Sequence, residues 1–112
     1  MSRSSAAARV SEQAALFAAL GDETRLDLVN QLSSGPQSIA RLASGATVTR
    51  QAITKHLEVL SGAGLVRDEW RGRERVFELD PRRVDDARRW LEQIAERWDA
   101  RLAKLRKLVE ED

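Results

Sequence analysis

Cationic and polar side chains gather in one short segment of the sequence that opens at Thr49. The guanidinium of Arg50 can pair with guanine O6 and N7, and the amide of Gln51 can pair with adenine N6 and N7. Thr54 can contact a thymine methyl group or a phosphate, and Lys55 can hold a phosphate. On a helix these side chains would occupy the first turn and a half, opposite an apolar face formed by Ile53, Leu57 and Leu60. The segment is therefore suited to contacting DNA bases.

A second cationic group, Arg71, Arg73 and Arg75, surrounds Gly72 between two segments of strand-like composition, 65–70 and 74–79. Gly72 can supply the positive φ of a tight hairpin turn, and the arginines can contact phosphates. Each group alone also has an interpretation without DNA. The first could be an ordinary solvated helix face, which is normally polar, and the second could be a charged surface hairpin that deters edge pairing. Their succession along the chain favours DNA contact for both groups.

The elements that must position these side chains are marked by helix-capping residues and glycine stops. Asp22, Ser38, Thr49 and Asp80 are predicted N-caps, and the helices are expected at about 9–20, 23–32, 39–43, 50–61 and from Pro81 to the end. In the second helix, Leu26, Val29 and Leu32 are predicted to form the buried stripe, with Leu28 beside them. The last helix carries a near-heptad apolar stripe: Val84, Ala87, Leu91, Ile94, Trp98, Leu102, Leu105 and Leu108.

This order of elements predicts a mainly α protein with a small β-hairpin wing, which is a winged helix-turn-helix followed by a long C-terminal dimerisation helix. The reason is groove size, since the major groove admits one helix while the preceding helix braces it across the backbone. The predicted organisation is a disordered tail at 1–8, a DNA-binding domain at 9–80 and a dimerisation helix at 81–112.

Composition limits the class of protein. The chain has 112 residues and a formal net charge of only +1, from 19 Lys+Arg against 18 Asp+Glu. The excess lies at 41–75, which holds seven cations against four anions: Arg41, Arg50, Lys55, Arg67, Arg71, Arg73 and Arg75. With no Cys and one His, we expect no enzyme activity, no metal and no cofactor. With no apolar run or signal peptide, we expect a soluble cytoplasmic protein that does not enter a membrane.

Three segments resemble the ArsR-type (arsenic-repressor-like) winged helix-turn-helix repressors. Leu16–Leu26 is similar to the opening of that family, and Thr49–Leu60, followed by Ala63–Val66, is similar to its recognition helix and exit. Arg71–Glu74 resembles its wing tip. The resemblance implies a homodimeric, DNA-binding transcriptional regulator, usually a repressor, that dimerises through its first and last helices. It implies double-stranded DNA and a second copy of the chain as partners.

The sequence departs from the metal-sensing members of that family. The stretch Ser38–Ala43 lacks the paired cysteines that such members carry, and the last helix has no His. Its carboxylates interleave with arginines, which favours a surface with ion pairs one turn apart over a zinc site. We therefore expect no metal response. The alternative function is a winged-helix protein-interaction module that pairs through the C-terminal helix.

Four further side chains receive provisional roles. His56 is interpreted as packing and hydrogen-bonding within the domain, with phosphate contact or a pH switch as the alternative. Trp70 is predicted to cover the base of the wing. Trp90 and Trp98 are predicted to pack in the core or the dimer, and a small-molecule pocket between subunits is the alternative.

Overall fold

A computed structural model describes the backbone of residues 2–111 and the side chains of residues 5–111. Met1 and Asp112, the outermost residues of the predicted tail and of the predicted dimerisation helix, lie outside the described residues. The predicted fold class is confirmed, since the chain forms five helices and three short strands within the described residues. In chain order they are α1 (Ser2–Leu20), α2 (Glu23–Leu32), β1 (Gln37–Ser38), α3 (Ile39–Ser44), α4 (Arg50–Gly62), β2 (Val66–Arg71), β3 (Glu74–Leu79) and α5 (Pro81–Glu110).

All four predicted N-caps are confirmed. Each cap residue has extended backbone angles, and its side-chain oxygen accepts a hydrogen bond from an amide in the first turn of the helix. The pairs are Asp22 with the N–H of Arg25, Ser38 with that of Arg41, Thr49 with that of Ala52 and Asp80 with that of Arg82. Because the caps fix where each helix begins, they also fix which side chains share a face.

The first helix begins earlier than the sequence suggested. The structure places a helix from Ser2 onward in place of the disordered tail predicted over 1–8. Three consecutive alanines, residues 6–8, have the highest intrinsic helix propensity, and no glycine or proline precedes Gly21. The small polar residues that resembled a tail therefore extend α1 by two turns.

The hairpin is part of a three-stranded antiparallel sheet in the order β1-β3-β2, where the sequence predicted two strands. The missed strand, β1, is only two residues long, and its Gln37 and Ser38 pair with Phe77 and Val76. A segment this short carries no alternation that could reveal it. It ties the start of α3 to the base of the wing.

The core gathers apolar side chains from every element except β1 and the distal part of α5. The side chains that are almost fully buried are Leu16, Leu28, Leu32, Leu42, Ile53, Leu57, Leu60 and Phe77. The predicted burial of Leu26 is wrong, because this side chain is 52% exposed. The inward face of α2 runs instead through Leu28 and Leu32, four residues apart, and Val29 is half-buried.

Most of α5 packs against no other element in the described part of the chain. Ala87 is its only buried residue among those described, and Trp90 packs against Phe17 of α1 with the ring centroids 6.2 Å apart. From Leu91 to Glu110 every side chain is exposed. At 1.5 Å per residue, the helix is about 45 Å long. Within residues 2–111, no helix combines the length and apolar character needed to cross a membrane.

Candidate DNA-binding surface

The α4 helix, the second helix of the helix-turn-helix, is held by its apolar side. Ile53, Leu57 and Leu60 are fully buried, and the Thr49 cap anchors the first turn through a 3.1 Å hydrogen bond. Since these contacts leave the helix no freedom to rotate about its axis, its polar side chains are presented to solvent as one fixed set.

The sequence-predicted base-reading residues lie together on that outer side. Arg50, Gln51 and Lys55 are exposed, and the half-buried Thr54 donates a hydrogen bond from Oγ1 to the carbonyl oxygen of Arg50 at 3.1 Å. Within the described part of the chain, Arg50 and Lys55 form no ion pair. Their charge is therefore uncompensated and available to an anionic or acceptor-rich ligand.

His56 points away from this set. Its Nδ1 lies 3.2 Å from Nη1 of Arg25 and 3.9 Å from Oδ1 of Asp22. Because a guanidinium can only donate, Nδ1 must accept, and the ring proton of the neutral form lies on Nε2. Arg25 also donates to the carbonyl oxygen of Ala19 at 2.5 Å. The interpretation of His56 as a packing and hydrogen-bonding residue is confirmed.

Asp22 takes part in the same junction of α1, α2 and α4. The backbone N–H of Arg25 donates to its carboxylate, and this hydrogen bond, aided by the positive charge of Arg25, lowers the pKa of Asp22. The junction fixes where α4 emerges from the domain, so its contribution to the candidate site is positional.

The three wing arginines differ in how they are held. Arg71 pairs with Glu69 at 2.7 Å, and both side chains are exposed. Arg75 is more enclosed, since its Nε lies 2.6 Å from Oδ2 of Asp68 and its guanidinium lies over the Phe77 ring at 4.9 Å. Arg73 is exposed beside Gly72, whose φ of +64° makes the turn. Among residues 5–111, Arg73 has no ion-pair partner.

Trp70 does not cover the base of the wing, and that prediction is wrong. Its side chain is 68% exposed, because the strand leaves the core after Val66 and every later residue of β2 faces solvent. In the two wing strands the buried residues are Val66 of β2 and Val76 and Phe77 of β3. The sequence could not place the indole, since the length of hairpin that extends beyond the core is set by packing.

One cation near the surface was not assigned from the sequence. Arg41 is exposed on α3, and with Arg71 and Ser38 it lines a shallow depression between α3 and the wing. No acidic partner holds it within residues 5–111. Its place in the positively charged segment 41–75 was the available signal, and its position on the helix that precedes α4 suits a backbone contact.

A polar network connects α1, α5 and the end of α4. Gln13, almost fully buried, donates to Oδ2 of Asp86 at 3.0 Å, and Arg9 donates to Oδ1 at 3.2 Å. Arg83 donates to the carbonyl oxygens of Glu12 at 2.6 Å and of Ala63 at 3.4 Å. The hydrogen bonds from Gln13 and then Arg9 lower the pKa of Asp86. The network thus fixes α5 relative to α4.

The acidic residues at the start of α5 are paired with arginines. Asp85 accepts from Arg88 and Arg89, which lower its pKa, and Glu92 pairs with Arg88 at 2.6 Å. Among the described residues, no three His, Cys, Asp or Glu side chains are grouped so that they could hold a metal ion.

Comparison with known proteins agrees with this geometry. A model of the helix-turn-helix domain matches residues 20–69. An HTH-type transcriptional regulator of Mycobacterium tuberculosis, Rv2034, is 44% identical over 63 residues, which cover 56% of this chain and 59% of that protein, so the match spans less than two thirds of its length. An ArsR-like transcriptional regulator from Rhodococcus sp. RHA1 superposes with a TM-score of 0.79 and 39% identity, over 88% of this chain and 93% of that one.

A second solved structure, the homodimeric winged helix-turn-helix DNA-binding domain of Mb0332 from Mycobacterium bovis, has the same fold. Its TM-score is 0.64 at 20% identity, over 83% of each chain. The fold and the cationic surface thus define a winged helix-turn-helix DNA-binding protein. The chain belongs to the ArsR-like family of helix-turn-helix transcriptional regulators.

Proposed function

We propose that this regulator is a homodimeric repressor that binds a pseudo-palindromic operator in double-stranded DNA. The observation that carries the proposal is the fixed outer side of α4, where uncompensated cations and an amide lie in the first turns of a capped helix. Recognition helices meet base edges with these turns. The proposed role is binding without catalysis, in the compartment that holds the chromosome, which for a bacterial regulator is the cytoplasm.

The proposal gives each surface residue a role. Arg50, Gln51 and Thr54 contact bases, the last through its methyl group because its hydroxyl donates to the helix backbone. Lys55 and Thr49 contact phosphates beside the groove. In the wing, Arg73 and Arg71 contact phosphates, and Arg75 contributes by holding the strand against Phe77.

Dimerisation is proposed through α1 and α5. The distal half of α5 exposes one apolar stripe, whose members Leu91, Ile94, Trp98, Leu102, Leu105 and Leu108 are each at least 40% exposed. A stripe of this kind is stable in water when another helix covers it. The homodimeric state of the Mb0332 domain supports a second copy as that helix. Two recognition helices related by a two-fold axis would contact half-sites about 34 Å apart.

We also propose that no metal ion acts as the signal. The chain has no Cys, and three carboxylates of α5, those of Asp85, Asp86 and Glu92, are already hydrogen-bonded to arginines or Gln13. A metal ion would have to displace several charge-assisted hydrogen bonds to reach them.

Selection of binding sites from random duplex DNA, followed by a gel shift on the protein's own upstream region, tests this function. We expect an inverted repeat to be enriched and bound as a dimer. No shift at low salt would contradict DNA recognition and would favour a protein-interaction module. Transcription from the bound promoter, with and without the protein, then tests repression.

A further inference from the structure

Trp70 is a large apolar side chain that lies outside the core. It is 68% exposed, two residues from the turn glycine of the wing. Directly opposite residues of β2 and β3 share one face of the sheet, and Val66, Asp68 and Trp70 lie opposite Leu79, Phe77 and Arg75. The face that carries Trp70 is therefore the continuation, beyond the edge of the core, of the face on which Phe77 is buried.

The residue best placed to cover the indole is engaged elsewhere. Arg75 is the cross-strand neighbour of Trp70, and an arginine in that position commonly lies over the ring. Its guanidinium instead lies toward the base of the wing, over Phe77 and beside Asp68. Within the described part of the chain, no aromatic or cationic group stacks on Trp70.

The charges around the indole also shape what it can bind. The wing carries four cations, at 67, 71, 73 and 75, and four anions, at 68, 69, 74 and 78. Three cations are in ion pairs on the wing itself: Arg67 with Glu78, Arg71 with Glu69 and Arg75 with Asp68. Only Arg73, at the tip, remains unpaired among the described residues. The wing therefore offers one unpaired cation at its tip and one exposed aromatic ring three residues before it in the chain.

We infer that Trp70 is a DNA contact of the wing, packing its indole against the sugars and groove wall of the duplex while Arg73 holds a neighbouring phosphate. A flat aromatic group suits deoxyribose and base edges, which are apolar and lie directly inside the phosphate line. DNA is the indicated occupant because the adjacent free charge is positive and the same domain presents α4 to DNA. This inference rests on the proposed DNA-binding function and adds an uncharged contact to it.

Salt dependence distinguishes this contact from a charged one. An indole displaces no counterion, whereas a phosphate-bound arginine displaces about one. With a duplex selected by the wild-type protein from random DNA, we expect Trp70→Ala to weaken binding about tenfold at every salt concentration, without changing the slope of log K against log salt. Arg73→Ala should reduce that slope by about one, and Trp70→Phe should restore most of the affinity.

A direct readout uses the wild-type chain labelled with 5-fluorotryptophan. The chain has three tryptophans, and Trp70→Phe identifies the fluorine NMR signal of Trp70. We expect this signal to move and to lose its H₂O/D₂O isotope shift when the selected duplex is added. The signal of Trp90, which packs against Phe17 within the domain, serves as the internal control and should show the same isotope response with and without DNA.

Several results would overturn the inference. Unaltered affinity of Trp70→Ala with a solvent-exposed fluorine signal in the complex would remove Trp70 from the DNA contacts while leaving the proposed function intact. A shift from dimer to monomer in sedimentation of Trp70→Ala would assign the ring to a protein interface instead. If the wild-type protein selects no DNA, both the proposed function and this inference fail. Thermal unfolding of Trp70→Ala should match the wild type, because the ring is exposed.

Discussion

The buried side-chain amide of Gln13 on α1 donates a 3.0 Å hydrogen bond to the partly exposed carboxylate of Asp86 on α5. Gln13 is the only polar residue in the described part of the chain that is as buried as the core leucines. Its Oε1 also accepts from Arg83 at 3.4 Å. A buried amide with both ends satisfied specifies one relative position of the two helices.

Replacing Gln13 with alanine should therefore destabilise the domain. The substitution leaves Asp86 and Arg83 each short of one partner in a partly enclosed site, and we expect the free energy of unfolding to fall by about 1–3 kcal/mol. Urea unfolding followed by circular dichroism measures it. Glu12→Ala is the matched control, since it removes an exposed neighbouring side chain. Equal free energies of unfolding for Gln13→Ala and Glu12→Ala would show that the Gln13 amide does not stabilise the domain.

Asp86 should make this junction sensitive to acid. Its pKa in the folded protein is lowered, chiefly by the hydrogen bond from Gln13. A carboxylate with a lowered folded pKa contributes stability that is fully present above its unfolded pKa, near 4 for Asp, and is lost as pH falls through the folded pKa. The free energy of unfolding of the wild type should fall between neutral pH and about pH 3, and we expect this fall to be smaller in Asp86→Asn. An equal fall in the free energy of unfolding in the wild type and in Asp86→Asn would contradict this expectation.

Arg50→Ala should change which DNA sequence is preferred. Loss of a bidentate contact to guanine costs roughly 1–3 kcal/mol and relaxes the preference at one base pair. Binding-site selection with the variant, compared with the wild type, measures both effects. Arg97→Ala, which removes an exposed arginine from distal α5, is the control and should leave the preference intact. A variant with the original preference would exclude Arg50 from base reading.

Arg73 and Arg75 should behave differently although both lie in the wing. We expect Arg73→Ala to weaken binding to all sequences alike and to flatten the salt dependence by about one counterion. Arg75→Ala removes the ion pair with Asp68 and the contact over Phe77, so it should alter stability more than the salt slope. Salt titrations of DNA binding and thermal unfolding of both variants measure these effects. Identical slopes of log K against log salt for Arg73→Ala and Arg75→Ala would contradict the distinction.

Leu105→Asp should convert the protein to monomers. The side chain is 54% exposed within the chain and lies on the apolar stripe of α5, where a charge would face the proposed partner helix. Ala100→Asp adds the same charge on the opposite side of the helix and should leave the dimer intact. Sedimentation at micromolar concentration measures the outcome. A dimeric Leu105→Asp protein would place the interface elsewhere.

The elements with strong local signals were predictable from the sequence. The caps at Asp22, Ser38, Thr49 and Asp80, with the glycine stops, located α2, α3, α4 and α5 to within a residue or two. The polar outer side of α4 followed from the spacing of Ile53, Leu57 and Leu60. These features depend on neighbours three or four residues apart, which a sequence displays directly.

Features set by distant contacts were not predictable. The strand β1 exists only because Gln37 and Ser38 meet β3, nearly forty residues later in the chain. The burial of Gln13 depends on Asp86 and Arg83, and the exposure of Trp70 depends on how far the hairpin extends past the core. The ion pair of Arg75 with Asp68 is of the same kind, since it joins the two strands of the hairpin and depends on their register.

The balance of charge in the wing bears on how the protein would search a chromosome. Attraction to arbitrary DNA grows with the number of free cations that face the phosphates, and among the described residues the wing adds only Arg73 to the unpaired Arg41, Arg50 and Lys55 of the two preceding helices. We expect weak retention on bulk DNA, so that few molecules are sequestered by the vast excess of competing sequence. A regulator built in this way would find a rare target at low copy number because it leaves wrong sites quickly.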